Sequence, residues 1–78
     1  MSRHRPPLTA REIAAYLAGA RLHHVYIAAG LPDWPGTDAL AETMADDDAR
    51  VMCAMGARAW WRWVQRGWDD QPAVRLPR

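Results

Sequence analysis

The sequence predicts an all-α protein, a small bundle of three to four helices ending in one long, tryptophan-rich helix. Three observations carry that expectation. No segment shows the strict apolar and polar alternation of a half-buried strand. Thr9 and Glu12 stand at capping-box spacing ahead of an apolar run, with Leu8 placed to staple onto Ile13. Residues 46–70 gather four of the five tryptophans and four of the ten arginines. That stretch opens on Asp46, Asp47 and Asp48 and closes near Gly67, which is how helix ends are marked.

The elements follow in chain order. Residues 1–7 are polar, contain two consecutive prolines and read as a disordered tail. The first helix starts at Ala10. Ile13, Tyr16 and Leu17 share one face, whereas Leu22, Val25 and Tyr26 lie on the opposite one, with Gly19 between the two sets. A straight helix would have to bury both sides, so a break between Ala18 and Leu22 is expected. It would leave helices over about residues 10–18 and 21–29, the second closed by Gly30 as a left-handed cap. Pro32-Asp33-Trp34-Pro35-Gly36 is an extended or turn segment, and Trp34 is expected to pack back on the bundle. Thr37 is placed to cap a short helix over Asp38 to Ala45, in which Leu40 and Met44 form an i, i+4 apolar pair.

The tryptophan-rich helix is expected over about residues 47–67, with Asp46 or Asp47 as its cap. Arg58, Arg62, Gln65, Arg66 and Asp47 fall in a polar arc of roughly 100°, and the apolar residues spread over roughly 200°. Trp60 and Trp63 lie well inside the apolar sector and Trp61 at its edge, so the first two should be the more buried. Residues 69–78 have neither period nor cap and read as a flexible tail, which leaves 8–68 as a single helical domain.

Composition narrows the functional classes. A chain of 78 residues lies near the size at which one core supplies only about 3 to 5 kcal/mol, which leaves room for a homodimer. One cysteine excludes an internal disulfide, and nothing resembles a leader or a membrane span, so a cytoplasmic protein is expected. The net charge of +1 makes no case for nucleic acid. Every basic residue other than histidine is arginine, and lysine, asparagine and phenylalanine are absent, the footprint of a GC-rich coding sequence. His23 and His24 are adjacent and diverge by about 100° on a helix, and His4 and Cys53 are distant, so no metal site is expected. The aspartates at 46–48, with Glu42 upstream, are explained by a helix start. No phosphate loop, nucleophile elbow or Cys/His constellation is present; the chain is read as non-enzymatic and without a cofactor.

Two resemblances add to this. Leu8, Thr9, Glu12, Ala14, Leu17, Val25-Tyr26, Gly30 and Leu31-Pro32 resemble the helix-turn-helix opening of excisionase-like and MerR-like DNA-binding proteins, which implies base or phosphate contacts by Arg21, His23 and His24. Trp34-Pro35-Gly36-Thr37, then Asp46-Asp47-Asp48 with Arg50, then a helix rich in Ala and Trp up to Val64, is similar to small uncharacterised proteins of mycobacterial and other actinobacterial phages and prophages. This chain has Ala49 where those proteins carry a proline. The second resemblance implies a phage accessory protein in the cytoplasm of a bacterial host. Together with the Trp and Arg content it makes a host or phage protein the expected partner, bound through Arg58, Trp61, Arg62, Arg66 and Trp68. Nucleic-acid binding is the alternative.

Overall fold

Thr9 and Glu12 set the first helix as their spacing predicts. In the computed structural model, which describes residues 7–72, the Glu12 amide donates to Thr9 Oγ1 at 3.1 Å and the Thr9 amide donates to Glu12 Oε1 at 2.8 Å. From this box α1 runs over Ala10–Ala28. Its C-terminus is closed by Gly30 at φ 79°, with the Leu31 amide donating to the Tyr26 carbonyl and the Gly30 amide to that of Ile27. That is the paired bonding of a Schellman cap.

The expected break between Ala18 and Leu22 is absent: α1 is one uninterrupted helix. The conflict between its two apolar faces is resolved by leaving large side chains outside. Ile13, Leu17 and Val25 are 44%, 54% and 58% exposed, while the buried face is made of Ala15, Ala18, Gly19 and His23. Gly19 is therefore a site of helix contact, where a Cβ would stand 2.8 Å from the Val64 carbonyl carbon and collide with its oxygen. Gly67 is its counterpart, where a Cβ would meet the Tyr16 carbonyl in the same way. At this crossing two backbones approach as only glycine permits.

α2 is shorter than expected, Thr37–Glu42, and Thr37 is its first residue while Gly36 takes the cap position without a side-chain bond. Leu40 is buried and Met44, just past the helix, packs against the core. Trp34 packs back as expected.

The single long helix over 47–67 is corrected to two helices, α3 over Asp46–Met55 and α4 over Ala57–Asp69. Gly56, at φ 96° and ψ 138°, is the corner between them; it closes α3 through its amide to the Met52 carbonyl and opens α4 by accepting from the Trp60 amide. A residue with a side chain is strained there. Ala45, in extended conformation, precedes α3, so Asp46, Asp47 and Asp48 all lie in its first turn and none is a side-chain cap. They face the positive end of the dipole, and Asp48 and Asp47 also pair with Arg21 and Arg50.

The molecule is thus all-α, four helices with no strand among the described residues. Its core is Ala15 and Ala18 from α1 against Trp60 and Val64 from α4, with Leu22, Trp34, Met44, Val51, Met52, Met55, Trp61 and Trp63 partly buried around it. Of the two expected tails, residues 1–6 and 73–78 lie outside the described part. Asp69 still belongs to α4, and Asp70 accepts a hydrogen bond from Tyr16. No helix among the described residues is long and apolar enough to cross a membrane.

Candidate partner-binding face

α4 alone is strongly amphipathic. Trp60, Val64, Gly67 and Trp68 are its buried side, and Arg58, Arg62, Gln65 and Arg66 its exposed one. Trp61 and Trp63 are both half-buried and stand on opposite borders of the arginine side, as the 100° step per residue requires. Trp60 is the deepest of the tryptophans at 1% exposure, which agrees with the expected order for that residue. Among the described residues no ion pair engages Arg58, Arg62 or Arg66; the two salt bridges are Arg21 with Asp48 and Arg50 with Asp47. Arg66 lies over the Trp63 ring, its guanidinium carbon 5.4 Å from the centroid.

Of the residues expected to bind a partner, Trp68 has to be withdrawn. It is 5% exposed and is the hub of an aromatic cluster, edge-on to His23 at 5.1 Å, Trp34 at 5.3 Å and Tyr26 at 5.5 Å between ring centroids. The apolar arc of about 200° lies within α4 alone, from Ala59 round to Trp61. Trp68 stands inside it, and His23 and Tyr26 of α1 together with Trp34 cover it there.

The expected nucleic-acid set is not brought together either. His23 is 8% exposed with Nδ1 lacking a hydrogen-bond partner, His24 is exposed on another side of α1, and the Arg21 guanidinium donates to Asp48 Oδ2 at 3.1 Å. The turn near Gly19 that a helix-turn-helix requires is missing, because α1 passes through it.

Two features escape sequence reading. Tyr16 Oη donates to Asp70 Oδ2 at 2.7 Å, fastening the end of α4 to α1. This bond, helped by desolvation and the Asp70 charge and opposed by Arg66, raises the phenol above its ordinary pKa of 10.0. The other is a pocket of about 170 Å³ lined by Leu22, Leu40, Met44, Trp60, Trp61 and Val64, with the Arg21–Asp48 pair, Thr43 and Ala45 also in its lining. Leu40 and Met44 were visible as an apolar pair. That they meet Trp61 depends on the tertiary path set by Gly56, for which no local pattern speaks.

Among the described residues, no three His, Cys, Asp or Glu side chains are grouped so as to hold a metal ion, and Cys53 is exposed and unpaired. Comparison of the chain with models of protein families, with characterised proteins and with solved structures returned no match.

Proposed function

We propose that this chain is a non-catalytic accessory protein of the phage or prophage kind, which binds a host or phage protein in the host cytoplasm through the outer face of α4 around Arg58, Trp61, Arg62 and Arg66. One observation carries the reading: three exposed arginines without an ionic partner among the described residues share a helix face with two half-buried indoles at its borders. Intramolecular packing makes little use of these guanidinium groups. An indole anchor beside a planar cation able to fork onto a carboxylate is the composition of an interface hot spot. Its arginines are also residues the fold can lose, since they are exposed and the buried core of α4 is Trp60, Val64, Gly67 and Trp68.

The test is affinity capture from host lysate, with and without nuclease, for the natural chain and for Trp61→Ala combined with Arg62→Ala. A nuclease-resistant partner retained by the natural chain and lost by a double variant of unchanged helical content is the expected result. Retention that disappears with nuclease and falls steeply with salt would transfer the same face to nucleic acid, with the indoles stacking on bases.

A further inference from the structure

A second recess, at the end of α1 far from the capping box, carries chemistry of its own. We infer that it binds the guanidinium group of an arginine presented on a segment of another polypeptide; the inference is separate from the α4 face and does not rest on it.

Its walls are Tyr26 from α1 and Leu31, Pro32, Asp33, Trp34 and Pro35 from the loop before α2, around a volume of about 390 Å³. That lies within the range of ligand clefts, roughly 300 to 1,000 Å³. The walls are held from behind. The Leu31 amide donates to the Tyr26 carbonyl at 2.8 Å, which fastens the loop to the helix, and Pro32 and Pro35 restrict the backbone further along. Tyr26 and Trp34 both stand edge-on to the buried Trp68, with centroids 5.5 and 5.3 Å away. Each of these two rings is half-buried, and Asp33 beside them is exposed. A site that needs little ordering on binding keeps more of its interaction energy.

Composition sets the occupant. Asp33 is the one charged residue in the lining, and among the described residues it has neither an ionic nor a hydrogen-bond partner. The charge around it has the same sign. Between His24 and Arg50 every charged residue is acidic, and Asp38 in the first turn of α2 is also without an ionic partner. The nearest basic residues in sequence face elsewhere. His24 and Arg66 each stand two positions before a ring of the cluster, Tyr26 and Trp68, and so about 160° round their helices from it. Arg66 lies over Trp63, and Arg21 and Arg50 are paired with Asp48 and Asp47. His23 touches Trp68 without lining the recess. An anion is therefore repelled here and a cation drawn in. Among cations, the aromatic rings select the guanidinium, which stacks on their faces, is weakly hydrated and forks onto a carboxylate, whereas an ammonium is a strongly hydrated point charge.

The experiment titrates the isotope-labelled full chain with a short, otherwise uncharged peptide bearing one central arginine, followed by backbone amide and indole resonances. Controls carry citrulline, the neutral isostere of arginine, or lysine at the centre. The expected result is movement of the Tyr26, Leu31, Asp33 and Trp34 signals, with binding about tenfold or more weaker for the citrulline peptide, the worth of a hydrogen bond between charged groups. The lysine peptide should fall between the two. Asp33→Asn, at an exposed residue without internal bonds, should keep the fold and remove the difference between arginine and citrulline. Equal binding of those two peptides, a preference that survives Asp33→Asn, or no response to any peptide overturns the inference. Lysine binding as tightly as arginine overturns the guanidinium and leaves only an acidic surface. Shifts at Asp33 and Arg62 that grow together with protein concentration in the absence of peptide would give the recess to a second copy of this chain and overturn a separate partner. Trp61→Ala combined with Arg62→Ala should leave the peptide titration unchanged, so failure of the recess and failure of the α4 face are read apart.

Discussion

α1 and α4 pack against each other and bury opposite kinds of residue. α4 contributes two whole indoles and a valine to the interior; α1 contributes two alanines, a glycine and a histidine while Ile13, Leu17 and Val25 stay about half exposed to solvent. The difference teaches that area and approach are separate contributions to one interface. An indole buries on the order of 150 to 250 Å² only if the surface opposite comes close enough to cover it. Small residues on α1 provide that closeness, and Gly19 and Gly67 let the two main chains touch.

The comparison breaks most readily at the crossing. Gly67→Ala and Gly19→Ala each drive a methyl into a carbonyl of the other helix, and overpacking against backbone should cost about 3 kcal/mol or more. That is comparable to the whole stability expected of a domain this small, roughly 3 to 5 kcal/mol. Thermal melts followed by circular dichroism should show both variants largely unfolded at room temperature; a melting temperature equal to that of the natural chain would mean the helices are not in backbone contact.

The corner ranks next. Gly56→Ala has open space for its methyl but is held at φ 96°, a conformation that should cost about 1 to 3 kcal/mol. Urea unfolding should register that loss without a change in slope. An unchanged midpoint would indicate that α3 and α4 can join without the positive φ.

A smaller effect is expected at the Tyr16–Asp70 bond. The folded state raises the phenol's pKa, mainly by this hydrogen bond, so the fold favours the protonated form. The resulting stability is fully present below the ordinary value of 10.0 and is lost as pH rises through the folded value. Melting temperature should fall more steeply with alkaline pH in the natural chain than in Tyr16→Phe, and the two should converge at high pH. Parallel curves would show that the bond does not form in solution.

The least effect belongs to the outer face of α1. Leu17→Gln should change stability by no more than about 0.5 kcal/mol, because half of that side chain is already exposed. A substantial loss in dilute solution would mean that this face is covered in a self-associated form, which sedimentation at varied concentration would reveal.

These two helices also show how far the sequence could be read. The capping box at Thr9, the cap at Gly30, the return of Trp34 and the all-α class were all legible, because each is written in residues within a few positions of one another. The break at Gly19 and the continuity at Gly56 were misread for one reason. Helical periodicity weighs large apolar side chains, and a glycine interrupts a helix or lets one approach another according to what lies opposite. Of the binding face, Arg58, Arg62 and Arg66 were legible as a polar arc and Trp61 as its border. The burial of Trp68 was not, since the rings that cover it, His23, Tyr26 and Trp34, lie far from it in the sequence. The pocket was invisible because its lining is drawn from four helices and a loop.

The corner at Gly56 has an electrical consequence as well. A single helix from Asp46 to Asp69 would have one amino end, and three aspartates would neutralise it. Dividing it creates a second amino end at Ala57, with free amide donors, no side-chain cap and no acid in its first turn. The charged residue in that turn is instead Arg58. The partial positive charge of this helix start, roughly half an elementary charge, stands across Gly56 from the equal negative charge at the end of α3. The corner is thus a meeting of opposite half-charges, and its full charge is that of Arg58.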